Sequence, residues 1–299
     1  MYKMVHLELT NYCNFNCPFC PIEGMERKQG YMSLENALNA IEQISRDNIS
    51  SNITYHLMGE PLLHPHFEKI VAAAHNGGLS NHLVTNGSLL ATDRFLRSCQ
   101  YLDWLSISLR VEDQSKFSKV TSAITYETYL SQIKSFLDQL ENWPNLKVRI
   151  KIFQEPNLQY AMRALGLDCP DNTQIQLKKD HFLRSNLCVI FDPLLDWKGN
   201  TNKFPSRWFG NCREFNSFFA VLVDGTVTTC CWDHKGGNSI GNAFQGDSLM
   251  DILNSSKAKA FLRSFEKHRV PTETCAICLA RPTFFRSIAY QTLCILNLR

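Results

Sequence analysis

Twelve cysteines in 299 residues, seven of them in two groups, constrain this chain more than any other feature. Cys13, Cys17 and Cys20 are spaced C-x3-C-x2-C. Cys212, Cys230, Cys275 and Cys278 make a second, wider set with Gly225 between its first two members, leaving Cys99, Cys169, Cys188, Cys231 and Cys294 outside both. At this cysteine frequency a triplet with the first spacing is expected by chance roughly 0.02 times per chain. A disulfide framework would fit an exported protein, but residues 1–11 lack a basic start followed by an apolar stretch. The longest apolar run, 218–223, is far short of the roughly 18 residues needed to span a bilayer. The chain therefore reads as cytoplasmic, with its clustered cysteines as metal ligands.

The rest of the sequence sets where those ligands sit. Between residues 3 and 177, short β-branched runs at 5–9, 53–58, 82–85, 104–109, 146–153 and 173–177 alternate with helical periodicity at 33–47, 65–76, 89–99, 126–142 and 158–165. Repeated strand–helix units predict a parallel sheet, either open and doubly wound or an incomplete barrel. Residues 178–211, rich in Pro, Asp, Asn and Trp, read as a long connection. A hairpin is expected over 218–232 around Asp224-Gly225, followed by a helix over 249–267. The predicted organisation is a core at 1–178, a connection at 179–211, a cysteine-bearing region at 212–281 and a tail at 282–299. A net charge of +3 without a long basic run gives no reason to expect nucleic acid or an anionic membrane as partner.

Cys13, Cys17 and Cys20 fall in the loop directly after the first expected strand, the end at which parallel α/β folds place their sites. Three thiolates on one short loop can hold a zinc ion if a fourth ligand such as His6 or His56 joins them. Alternatively they hold a four-iron cluster and leave one iron open to a ligand.

With Phe19 between Cys17 and Cys20, the C-x3-C-x-aromatic-C pattern resembles that of the radical S-adenosylmethionine (SAM) superfamily. The resemblance implies a partial (β/α)6 TIM-like barrel. It also implies that the open iron chelates the methionine moiety of SAM, whose reductive cleavage yields a 5'-deoxyadenosyl radical. Met58-Gly59-Glu60-Pro61 is similar to the family's Gly-Gly-Glu-Pro element, which makes Gly59 and Glu60 expected contacts of the SAM ammonium. Asn86 of Thr85-Asn86-Gly87, and Ser106 or Ser108 with Ser108 preferred, match positions that hold the nucleoside. Where many relatives continue with Asp-Gly, this chain has Leu109-Arg110, and a solvated charge is the expectation for Arg110.

The second group, C-x12-G-x4-C followed by C-x2-C, resembles the SPASM or twitch region, a small β-hairpin plus helix that carries an auxiliary iron-sulfur cluster. No further cysteines follow Cys278 closely, so the shorter version with one additional four-iron cluster is implied. A four-cysteine zinc site is the alternative. Strand alternation would send Cys230 and Cys231 to opposite faces, so Cys231 is expected to be a packed thiol, and Asp233 and His234 surface polar residues. The resemblance implies a radical SAM oxidoreductase fed by a reductant such as flavodoxin or ferredoxin. Dehydrogenation of a small cyclitol, sugar or aminoglycoside-type alcohol is the leading expectation. Maturation of a ribosomal peptide is the alternative, and a zinc-binding protein without catalysis the alternative of another class.

Overall fold

A computed structural model describes residues 1–110, 114–153, 158–168, 179–192, 208–210, 212 and 214–278. Five strands, β1 (Met4–Leu7), β2 (Asn52–Tyr55), β3 (Ser80–Thr85), β4 (Trp104–Leu109) and β5 (Lys147–Phe153), pair in parallel in sequence order. The helices between them are α1 (Leu34–Arg46), α2 (Phe67–Asn76), α3 (Asp93–Ser98), α4 (Gln114–Val120) and α5 (Tyr126–Leu137). Ser33, Thr92 and Thr125 cap α1, α3 and α5, each accepting a backbone N–H of its helix's first turn. A further helix, α6 (Leu158–Ala164), follows β5.

The strand expected at 173–177 lies outside the described residues, and the sixth parallel strand among those described comes later in the chain. It is β7 (Leu187–Asp192), paired in parallel with β5 and in antiparallel with β6 (Asp180–Arg184). Both lie inside the segment 179–211 that reads as connection. Leu187-Cys188-Val189-Ile190-Phe191 is itself an apolar strand run, and the polar, Pro-rich surroundings mask it when composition is averaged over a wide window.

The expected hairpin forms as β8 (Phe218–Val221) and β9 (Thr226–Thr228), but it does not stand apart. β8 pairs in parallel with β1, in register from Met4↔Phe218 to Leu7↔Val221, and β10 (Ser239–Asn242) completes one ten-stranded sheet in the order β10-β9-β8-β1-β2-β3-β4-β5-β7-β6. The sheet does not close, which makes it a partial barrel extended at both ends. Instead of one helix over 249–267 there are two, α7 (Leu249–Leu253) and α8 (Ser256–Glu266). Asn254 caps the first and Ser255 the second by accepting the Ala258 N–H, so local polar side chains break the helix. A last turn, α9 (Glu273–Ala276), carries Cys275.

The two faces of the sheet differ in kind. Val5, Leu7, Ile53, Tyr55, Leu83, Leu105, Ile107, Val148, Ile150 and Val189 are buried on one face, against apolar helix residues such as Ile41, Ile70, Phe95 and Ile133. Alternation turns His6, Ser106, Ser108, Lys151 and Asp192 to the other, concave face. No described helix is long and apolar enough to cross a membrane.

Candidate functional site

Four segments meet at the C-terminal ends of β1 to β4. Behind the first cysteine loop, Gly59 has φ +76°, and a Cβ there would sit 2.4 Å from the Thr10 carbonyl oxygen and 2.6 Å from that of Tyr12. Only glycine lets the two backbones approach this closely, and the Glu60 N–H donates to the Tyr12 oxygen at 2.7 Å. The preceding Leu57 holds φ 132°, a backbone conformation that L-residues rarely adopt.

Glu60 is buried, and its carboxylate is already engaged. It accepts from the Leu62 N–H at 3.1 Å, the Thr85 hydroxyl at 2.8 Å and the Asn86 N–H at 2.7 Å. Burial raises its pKa to about 7 against the lowering effect of these donors. The side chain thus ties the end of β2 to the end of β3. Asn86 faces the cysteine loop, with its Nδ2 at 2.9 Å from Asn14 Oδ1 and 3.8 Å from Cys13 Sγ, while Ser88 joins it to Asn14 at 2.8 Å. Ser108 lies on the concave face one strand over, opposite Lys151 in register.

Arg110 is not a solvated charge. It is 5 % exposed, its guanidinium lies 4.9 Å from the centre of the Phe19 ring, and its charge acts on Cys17. A cation beside the thiols favours thiolates, the form that binds metal. Without a bound metal, burial dominates and pushes Cys13 up to about 12, with the charges of Glu60, Cys17 and Cys20 adding to the rise. An open pocket of about 660 Å³ runs beside Cys13, Asn16 and Ile22, against residues 118–123.

In the second group, Cys212, Cys230 and Cys275 act electrostatically on one another, and Cys278 acts on Cys275. Burial pushes Cys212 up to about 12 and Cys275 to about 11. The Trp232 N–H donates to Cys230 Sγ at 3.3 Å and Asn238 Nδ2 to Cys275 Sγ at 3.4 Å, donors of the kind that stabilise thiolate ligands. Alternation does not separate Cys230 from Cys231, because β9 ends at Thr228 and the chain turns. The two adjacent thiols share a hydrogen bond that raises Cys230 and lowers Cys231. Cys231 packs on Leu57, Ala220 and Leu222.

Asp233 is no surface residue. It is 1 % exposed and accepts from the Thr228 hydroxyl, from the Gly237 N–H at 2.9 Å and from the Asn238 N–H at 2.8 Å, closing the turn that carries Cys230. His234 is half-buried. Gly225, at φ +85°, turns the hairpin where a Cβ would meet the Phe244 ring at 2.4 Å.

The ten described cysteines are free thiols. Among the described residues, no three Cys, His, Asp or Glu side chains converge as a single-ion site. His6 and His56 lie together, 6.0 Å between ring centres, with burial lowering their pKa values to about 4 and about 3. Zinc draws its thiolates onto one ion with bonds of about 2.3 Å, whereas an iron-sulfur cluster takes each thiolate on a separate iron. Cys13 feels the charges of Cys17 and Cys20, and three such soft donors on one loop fit an iron-sulfur cluster.

Comparison with known proteins agrees with this donor set. Residues 7–158 match the family described as the radical SAM superfamily, and residues 212–279 match SPASM, an iron-sulfur cluster-binding domain. A relative named S-adenosylmethionine-dependent nucleotide dehydratase, from Lacinutrix mariniflava, is 34% identical over 134 residues, 43% of this chain and 28% of its own length. The match thus spans under a third of that relative. Among solved structures, BtrN in complex with AdoMet and 2-DOIA aligns with a TM-score of 0.57 at 16% identity, covering 90% of this chain and 88% of that one. Streptococcus suis SuiB bound to S-adenosylmethionine aligns at 0.60 and 16%, covering 89% and 68%.

Proposed function

The chain belongs to the radical SAM superfamily and carries a SPASM iron-sulfur domain, and from that premise we propose that it oxidises a small polar alcohol of cyclitol, sugar or aminoglycoside type. When bound, SAM and its cluster would supply a 5'-deoxyadenosyl radical able to remove a hydrogen atom from the carbinol carbon, while one auxiliary cluster would accept the remaining electron and the hydroxyl proton would pass to solvent. Cys13, Cys17 and Cys20 are the proposed ligands of the first cluster, and Cys212, Cys230, Cys275 and Cys278 of the second. Phe19, Gly59, Glu60, Asn86 and Ser108 are the proposed SAM neighbourhood, with Glu60 holding the surrounding backbone in place. Residues 1–178 are the proposed catalytic core and 212–281 the auxiliary region. The reductant is an external one-electron carrier of flavodoxin or ferredoxin type.

The observation that carries this reading is a second thiol group, Cys212, Cys230 and Cys275, gathered beside the β8–β9 hairpin, whose first strand pairs with β1, the strand leading into the first cysteine loop. The concave face supports a polar substrate. Lys151 Nζ lies 3.8 Å from Asp192 Oδ2, its charge acts on His56, and Ser108 stands opposite it in register. Hydroxyl and amino groups suit such a mixed donor and acceptor surface.

Anaerobically reconstituted protein tests the proposal. Iron and sulfide content with Mössbauer spectra should show about eight irons, falling to about four in a Cys13/Cys17/Cys20 triple alanine variant. With candidate substrates deuterated at the carbinol carbon, deuterium should appear in 5'-deoxyadenosine together with a ketone product three mass units lighter than the labelled alcohol. Label transfer only from a peptide or a nucleotide would replace the substrate class, and about four irons in the wild type would remove the argument for oxidation.

A further inference from the structure

The two cysteine loops are joined by a buried ion pair that the proposed chemistry does not use. Glu8 follows β1, ahead of Cys13, and its side chain is inaccessible to solvent. The Arg27 side chain, from the far flank of the same loop, is 9% exposed. The pair is bidentate, with Arg27 Nη1 at 2.8 Å from Glu8 Oε2 and Nη2 at 2.7 Å from Oε1. Both partners reach further. Glu8 accepts the Met58 N–H at 3.3 Å, directly before Gly59, and the Val223 N–H at 3.0 Å, at the β8–β9 turn. Arg27 donates its Nε to the carbonyl oxygen of His234 at 2.7 Å, in the turn that follows Cys230 and Cys231. Next to it, Lys235 meets Glu26 at 3.5 Å on the surface.

One guanidinium thus holds the flank of each cysteine loop, and one carboxylate holds the ends of β1, β2 and β8. A surface ion pair would be worth little. A buried one gains little in stability over apolar residues of the same shape, but it fixes geometry, because a planar fork and a carboxylate satisfy each other in one arrangement only. The five hydrogen bonds tie Glu8 and Arg27 to each other and to Met58, Val223 and His234, so none of these segments can shift without breaking one.

We infer that Glu8 and Arg27 are positioning residues that set the separation of the two cluster-binding loops, and with it the coupling between radical formation and substrate oxidation. The inference rests on the two-cluster reading. Its test uses the full reconstituted chain carrying Arg27→Lys, which keeps a charge but loses the fork, and a Glu8→Met/Arg27→Leu double variant, which fills the space with apolar groups.

Three quantities are read: iron content, the spin–spin interaction between the two reduced clusters by pulsed electron paramagnetic resonance, and the ratio of 5'-deoxyadenosine formed to substrate oxidised. The expected result is about eight irons in both variants, an altered inter-cluster interaction, and a ratio raised about tenfold, larger in the double variant. A merely stabilising pair would leave the inter-cluster interaction and the ratio at wild-type values in iron-loaded protein, and that result overturns the inference. Failure of both variants to load iron also overturns it, since the pair is then needed to fold rather than to position. A wild type holding about four irons would instead remove the two-cluster reading, and the inference with it.

Discussion

The two cysteine groups are built in opposite ways. The first takes its three thiols from eight consecutive positions on one loop, whose shape is set by backbone: a glycine pressed against two carbonyls, and a carboxylate tying neighbouring strand ends. The second draws on residues spread over 67 positions, from ahead of β8, from the turn after β9 and from α9. Closing the longer span costs about 2 kcal/mol more chain entropy than the shorter, and the side chains of Asp233, Asn238 and Thr272 offset that with hydrogen bonds. Thr272 donates to Asn238 Oδ1 at 2.5 Å and accepts the Cys275 N–H at 3.2 Å. The first site is therefore a property of a loop. The second is a property of the folded C-terminal half, and the two should fail separately.

A methyl group added at each loop's glycine gives the sharpest contrast. At Gly59 the added Cβ meets backbone carbonyl oxygens, which cannot move aside, and the residue must also hold a positive φ. Gly59→Ala should cost about 4 kcal/mol and remove the first cluster while the second still loads. At Gly225 the obstacles are the side chains of Phe244 and Asn242, which can rotate. Gly225→Ala should cost about 2 kcal/mol and release iron from the second site only. Denaturation midpoints with site-resolved Mössbauer spectra would decide, and loss of both clusters in either variant would break the separation.

An effect between these two is expected where the second site depends on one side chain. Asp233→Ala leaves the Thr228 hydroxyl and the Gly237 and Asn238 N–H groups without their acceptor, for a cost of about 3 kcal/mol. Chelator-driven iron release should then be faster at the second site, with SAM binding unchanged by equilibrium dialysis. Unchanged release from the second site would show that the turn is not what holds Cys230.

These differences track what could be read from the sequence. The placement of the first group was legible because Cys13, Cys17, Cys20 and Phe19 lie within one short window directly after β1, where spacing along the chain is spacing in the fold. The strand order β1 to β5 was legible for the same reason, from local apolar periodicity. The role of Arg110 was not, because its burial arises from the packing of Phe19 and Cys17, which lie about ninety positions earlier. Asp233 read as a surface residue because the turn around it is closed by backbone N–H groups that no side-chain pattern announces. The placement of β8 beside β1 was hidden too. A run apolar on both faces fits an isolated hairpin as well as a buried parallel strand, and only its partner decides.

That pairing of β1 with β8 is the seam between the two halves, and His6 lies in it. It is opposite Ala220 in register, its ring 5.8 Å from Phe218 and 6.0 Å from His56. Burial first, and the nearby charge of His82 second, lower its pKa to about 4, below the usual 6.5. The unfolded chain therefore binds a proton through the window from pH 6.5 down to 4 that the folded chain refuses. Stability contributed by neutral His6 is complete above pH 6.5 and is lost as the pH falls through that window, by about 1–2 kcal/mol at pH 5. Because the strain falls on the seam, acid should loosen the β8–β9 hairpin and release the second cluster before the first. His6→Asn, which cannot take up a proton, should flatten the pH dependence of the denaturation midpoint between 6.5 and 5 and slow the acid release of iron from the second site. An unaltered slope would place the acid sensitivity elsewhere, and equal release from both sites would show that the seam does not divide the molecule.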